Sequence, residues 1–166
     1  MVQIEKSTGK KNKIALNDLD EQEKVEQEVY QHAIDFIKKR YPTGWGGAAV
    51  MRTADGQLLT SVCIETIDEH VGLCIEVGAL AEAAKYDLKV THSICVHRDD
   101  EAGDFKVLSP CGICQERLRY YGVAVKVGVT TPNKELKFVR LDALQPYHWT
   151  NAFDDIVMYD DKHREK

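Results

Sequence analysis

Cys74-Ile75-Glu76, near the middle of the chain, and Pro110-Cys111-Gly112-Ile113-Cys114, further on, are the stretches from which the rest of the sequence is best read. Each sits where a helix should open. Two residues separate Cys111 from Cys114, so the first turn of a helix points both sulfurs toward one place, and Cys74 supplies a third. Three sulfur ligands with a fourth position left to water is a ligand pattern of a catalytic zinc ion. Exposed N–H groups and the helix dipole stabilise thiolates at helix N-termini and favour metal binding there. Glu76 follows Cys74 closely enough to reach that fourth position without being a ligand, which is where a general acid/base belongs.

Composition bounds what such a site could serve. A chain of 166 residues, 43% hydrophobic and 30% charged, matches one soluble globular domain. No apolar run is long enough for a membrane span and residues 1–18 lack a signal-peptide core, so a cytoplasmic protein without membrane contact is expected. A formal net charge of -5 disfavours a polynucleotide partner, because a protein that tracks a phosphate backbone carries a basic surface. Five cysteines, an odd number without a secretion signal, argue for metal or free thiols rather than a disulfide framework.

In chain order, residues 1–17 read as a polar tail and 18–150 as the domain, with 151–166 a second tail. Asp18 with Glu21 resembles a capping box, and Leu19, Val25, Val29, Ala33, Phe36 and Ile37 recur at helical spacing, predicting a helix from about 19 to 40. Ala48 to Arg52 and Leu58 to Ile67 read as strands joined by a hairpin turn at 53–57. A helix including Cys74 to Lys85, a strand from Lys89 to Val96, a charged loop at 97–104 and a helix from near Cys111 to Gly122 follow. Strands at 123–129 and 136–141 complete the order. The expected fold is α/β: a three-layer α/β/α domain with a mixed five-stranded sheet.

Cys-x-Glu followed by Pro-Cys-x-x-Cys resembles the signature of the zinc-dependent cytidine deaminase superfamily, a pattern known in nucleobase deaminases. The similarity runs from about 19 to 149. Gly47-Ala48-Ala49 is similar to the family's first strand, Ser109-Pro110-Cys111-Gly112 to its zinc loop, and Leu144-Gln145-Pro146-Tyr147-His148-Trp149 to its C-terminal ending. The resemblance implies a small homotetrameric enzyme acting on a free nucleoside-like molecule, its sites completed by neighbouring subunits. Metal-activated hydroxide would attack the ring carbon, with Glu76 moving the proton to a ring nitrogen and then to the leaving amine, releasing ammonia. It also implies that the backbone N–H of Ile75 contacts the base and that the carbonyl near Ser109 receives the amine.

Several positions depart from the family. Glu65 stands at the place of a sugar-binding glutamate, but Cys63 replaces its asparagine partner; Gly44 occupies the place of a sugar-contacting phenylalanine, with Trp45 beside it. Val77 and Gln115 replace two arginines near the zinc, for which Arg117 is a candidate substitute. Blasticidin-S deaminases lack parts of the same pattern, so an antibiotic deaminase of that type is the alternative, and a non-catalytic zinc-stabilised binding module is the competitor from another class. The candidate site is therefore Glu76 as catalytic residue, Cys74, Cys111 and Cys114 as zinc ligands, and Glu65, Cys63, Trp45, Ile75, Ser109 and Trp149 toward substrate. Cys95 reads as core, His70 as a surface or packing residue, and the glutamates from Glu21 to Glu28 as a solvated helix face, while His32, His92, His97, His148 and His163 have no partner spacing that points to a site.

Overall fold

The computed structural model of the protein describes residues 20–153. The expected tail at 1–17, the expected cap Asp18, the apolar Leu19 that opens the helical period, and most of the expected C-terminal tail, with His163, lie outside the described residues. Helix α1 spans Glu21–Arg40 and is capped by Asp20, whose side chain accepts from the Glu23 N–H while Glu23 reaches back to the Asp20 N–H. That reciprocal arrangement satisfies two donors that a helix start leaves without partners.

Strands β1 (Gly46–Thr53), β2 (Leu58–Ser61), β3 (Val90–Arg98), β5 (Lys126–Gly128) and β6 (Phe138–Arg140) form the order β2-β1-β3-β5-β6. Among the described residues, only β3 and β5 run parallel. A parallel pair needs a crossover, which α3 (Gly112–Leu118) supplies. A sixth strand, β4 (Lys106–Leu108), pairs with the C-terminal half of β3 through Cys95 to His97. The sequence pattern there is a charged loop running straight into a helix, and three half-buried residues leave no periodic signature.

Both faces of the sheet are covered. On one, Val29, Ala33 and Ile37 of α1 pack on Ala48, Val50, Ile94 and Val96. On the other, Ala79, Leu80 and Ala83 of helix α2 (Val77–Lys85) join Leu118, Met51 and Val127. Alternation along β1 and β3 sends successive side chains to opposite layers, so these strands are buried on both sides. Gly46 lets α1 approach: a Cβ there would lie 2.8 Å from Cγ2 of Ile37.

Two expected boundaries are corrected. Strand β2 ends at Ser61 rather than Ile67; beyond it Ile64 makes an isolated bridge to Leu73, while Ile67 lies fully exposed with no partner strand to cover it. Helix α2 begins at Val77, so Cys74 stands in the turn before it, where the Val77 N–H bonds back to the Cys74 carbonyl. Among the described residues no helix is long and apolar enough to cross a membrane.

His92, on β3, packs edge-on against Phe138 with centroids 5.9 Å apart. Burial first, then the charges of Arg52 and Lys126, hold its pKa down at about 4. The unfolded chain therefore binds a proton near pH 6.5 that the folded chain refuses until about 4, so this contribution to stability is present above 6.5 and lost as pH falls toward 4. Melting temperatures at pH 7.5 and 5 should converge in His92→Gln relative to the parent protein; an equal acid-induced loss in both would contradict the assignment.

Candidate active site

Three cysteines arrive from two helix starts. Cys111 is the N-cap of α3 and Cys114 lies in its first turn, fully buried, while Cys74 stands in the turn before α2. Their sulfurs lie within 4.8 Å of one another, with Cys74 and Cys111 separated by 3.8 Å. With Zn–S bonds of about 2.3 Å, tetrahedral ligation sets sulfurs about 3.8 Å apart, so the donor set fits zinc in chemistry and in spacing. All five cysteines are free thiols.

Electrostatics divide the three. Burial alone would raise the Cys111 thiol, but backbone N–H groups of Cys114 and Ile113, with the neighbouring thiols, bring it below its ordinary value. Burial and the nearby Glu76 carboxylate push Cys114 up, and burial with Cys111 raises Cys74. A cation placed between them is what would reverse this mutual repulsion. Cys95 projects toward the same face from β3; burial, then Glu76 and the other thiols, raises it strongly, which keeps it a neutral packing residue.

Glu76 occupies the N-cap position of α2 and is only 6% exposed. The segment carrying it is pinned from both sides. Ser61 donates to the Ile75 carbonyl at 2.6 Å, and the paired N–H groups of Ile64 and Leu73 tie the preceding loop to itself. On the other helix, Gln115 donates through its side-chain amide to the Pro110 carbonyl at 2.9 Å. At Gln115 this chain thus places a neutral brace on the cysteine loop. Arg117 lies along a groove between α2 and α3 with Val77, Leu80 and Tyr120. None of these braces has a sequence motif of its own, and only the assembled loops disclose them.

Beside the sulfurs opens a cleft of about 550 Å³ lined by Trp45, Cys63, Ile64, Glu65, Thr66, Leu73, Cys74 and Ile75, with Gly72 at its edge. Trp45, Cys63, Glu65 and Ile75, four of the residues singled out from the sequence, therefore share one cavity with a cysteine of the cluster. Cys63 and Glu65 face each other, Sγ to Oε1, at 3.9 Å. Burial, then Glu65, raises the Cys63 thiol. Gly44 has φ +71°, a left-handed backbone that a phenylalanine adopts only with strain, so the aromatic wall falls to Trp45.

Two expected residues stand apart from this cleft. Ser109 exchanges hydrogen bonds with Thr130, its N–H donating to Oγ1 at 3.1 Å and its Oγ accepting from the Thr130 N–H at 3.0 Å. Trp149 opens a 3-10 turn, is 61% exposed, and lies tilted against His148 and edge-on to Phe153. Buried Arg119 fastens that turn by donating to Gln145 and Thr150.

No protein-family profile matches the chain. Individual relatives do. The solved cytidine deaminase of Bacillus anthracis is 48% identical, with a TM-score of 0.75 over 77% of this chain and 91% of its own. Blasticidin-S deaminase of Bacillus cereus is 30% identical over 108 residues, covering 63% of this chain and 76% of the relative. The solved cytidine deaminase of Mycobacterium leprae, 22% identical with a TM-score of 0.54 over 72% of this chain and 96% of its own, shares the fold. The chain belongs to the cytidine deaminase superfamily. It is accordingly a hydrolase of the deaminase type, which displaces the reading of a non-catalytic zinc module.

The placement of Cys74 and Glu76 depends on how closely α2 meets β2. A Cβ added at Gly78 would lie 2.7 Å from Cβ of Ser61. Alanine gains about 1 kcal/mol of helix propensity over glycine, yet forcing a methyl into such a contact costs about 1–3 kcal/mol. Gly78→Ala should therefore lower stability in urea titration by up to about 2 kcal/mol; a stabilised variant would mean the two elements are not in contact.

Proposed function

We propose that this chain is a zinc-dependent hydrolase that deaminates a cytosine-bearing nucleoside or close analogue and releases ammonia. One observation carries the reading: three sulfurs from two helix starts lie within 4.8 Å of one another, with the buried Glu76 two residues from the first. Cys74, Cys111 and Cys114 would hold the ion. When bound, zinc would supply a Lewis acid that lowers the pKa of water to about 7.

The chain's own residues then do the following. Glu76 accepts a proton from the attacking water and passes it to the adjacent ring nitrogen, so that the ring carbon carries both the new C–O bond and the amine. It passes the second proton to the amine; the C–N bond breaks, ammonia departs and a carbonyl remains. The Ile75 N–H orients the base, and its carbonyl, held by Ser61, cannot swing away. The carbonyl near Ser109, on a segment braced by Thr130, would receive the amine. Glu65 and Cys63 hold the part of the substrate beyond the base, and Trp45 covers it.

Trp149, exposed beside Tyr147 and Phe153, with Ile113 exposed near the sulfurs, supports a homotetramer in which this segment closes a neighbour's site. We place the enzyme in the cytoplasm. The Cys63 substitution and the Bacillus cereus relative favour a second reading, a deaminase of blasticidin S or a similar modified nucleoside. An ammonia-release panel of cytidine, deoxycytidine and blasticidin S separates the two.

Glu76→Gln keeps the shape but removes the proton carrier, so turnover should fall by about 100-fold or more. Zinc content by mass spectrometry of the pure protein should stay near one ion per chain, whereas Cys114→Ser should lose it. A fully active Glu76→Gln enzyme would sink the mechanism, and absence of zinc from the parent protein would sink the site.

A further inference from the structure

The turn that leads into Trp45 is fastened at Tyr41 and Gly44 by the end of β3 and the loop that follows it. The Gly44 N–H donates to Oε2 of Glu101 at 2.7 Å. Arg98, only 4% exposed, donates from Nη2 to the Tyr41 carbonyl and from Nη1 to the Glu101 carbonyl, with its guanidinium 5.6 Å from the centroid of Phe105. Between those anchor points the chain has only Pro42 and Thr43 before Gly44.

The anchoring loop is itself stiff. The Asp100 carboxylate accepts from the Ala102 N–H at 2.9 Å, the Gly103 N–H bonds the Asp100 carbonyl, and Lys106 pairs with Asp99. Arg98 is held there although its Nε is buried without a hydrogen-bond partner among the described residues. Trp45 stands between the held residues and the cleft. Its ring meets Tyr41 edge-on at 5.9 Å, and its Cη2 would lie 3.1 Å from a Cβ added at Gly47, where Cδ1 of Ile75 would be 2.9 Å away.

We propose that Glu101 and Arg98 act as a latch that fixes Trp45 as a rigid wall of the cleft, making the loop from Asp99 to Phe105 a positioning element for substrate. Neither residue touches the cleft. They act through Gly44 and Tyr41, and the proposal rests on the reading that the cleft seats the substrate beyond its base. A wall that is already ordered costs the substrate less entropy to engage, so the latch bears on KM more than on kcat.

The test compares Glu101→Ala, which removes the acceptor, with Glu101→Gln, which keeps an oxygen for the Gly44 N–H. Acrylamide quenching of the Trp45 emission is read as the difference between each protein and its Trp45→Phe counterpart, and KM and kcat are measured with cytidine and blasticidin S. Trp45 is already 41% exposed in the parent protein, so Glu101→Ala should increase its quenching further and raise KM about 3- to 10-fold with kcat little changed, the range expected for loss of one charge-assisted hydrogen bond. Glu101→Gln should restore most of both. Unchanged quenching in Glu101→Ala overturns the latch, whatever happens to KM. If quenching rises but Trp45→Ala leaves KM unaltered for both compounds, the latch exists and the cleft is not the substrate's seat, which overturns the proposed purpose.

Discussion

Three sulfurs drawn from two separate helix starts lie within 4.8 Å of one another, and most of the architecture can be understood as what brings them there. Thiolates repel, so nothing in the cysteines themselves favours the cluster. The backbone has to impose it. Parallel β3 and β5 require a crossover, and that crossover delivers the first turn of α3 to the end of the sheet. The bond from Ser61 to the Ile75 carbonyl and the close approach at Gly78 deliver the start of α2 to the same place.

Close approach recurs because the layers must meet without side chains in the way. At Gly128 a Cβ would lie 2.7 Å from Ile94, as at Gly46 it would press on α1 and at Gly47 on Ile75. Interiors are packed densely enough that such a methyl has nowhere to go. The two cores on either face of the sheet, one under α1 and one under α2 and α3, therefore form a stiff platform. Loops projecting from the platform carry the cleft, and a few polar ties hold them: Glu101 on Gly44, Gln115 on Pro110, Arg119 on Thr150.

Much of this could be read from the chain. Cys-x-Glu and Pro-Cys-x-x-Cys place ligand-type residues at spacings that helix geometry converts directly into proximity, and apolar periodicity marks α1 and the central strands. Legibility fails where structure comes from tertiary contacts instead. The residues after Ser61 look like a continuing strand because Cys63, Ile64 and Ile67 have strand-like character, yet among the described residues they find only the isolated Ile64–Leu73 bridge. Strand β4 is too short to leave a pattern and exists because β3 extends past β5 and offers an unpaired edge. A cap at Asp20 rather than Asp18 is a shift of two residues between acidic neighbours with similar local signals.

The departures from the family pattern follow one electrostatic logic. Among the described residues, those lining the cleft include Glu65 and Cys74 but no lysine, arginine or histidine, and Glu76 lies buried close by. Where relatives would place a guanidinium beside the cysteine loop, Gln115 contributes a neutral hydrogen bond. Compensation for negative charge then falls on fixed dipoles, the N–H groups at the start of α3 that bring the Cys111 thiol below its ordinary value despite burial. Dipoles of that kind are part of the backbone and need no ordering when substrate arrives. The walls of the cleft are set by Trp45, Ile64, Leu73 and Ile75, with the Glu65 carboxylate as an acceptor among them.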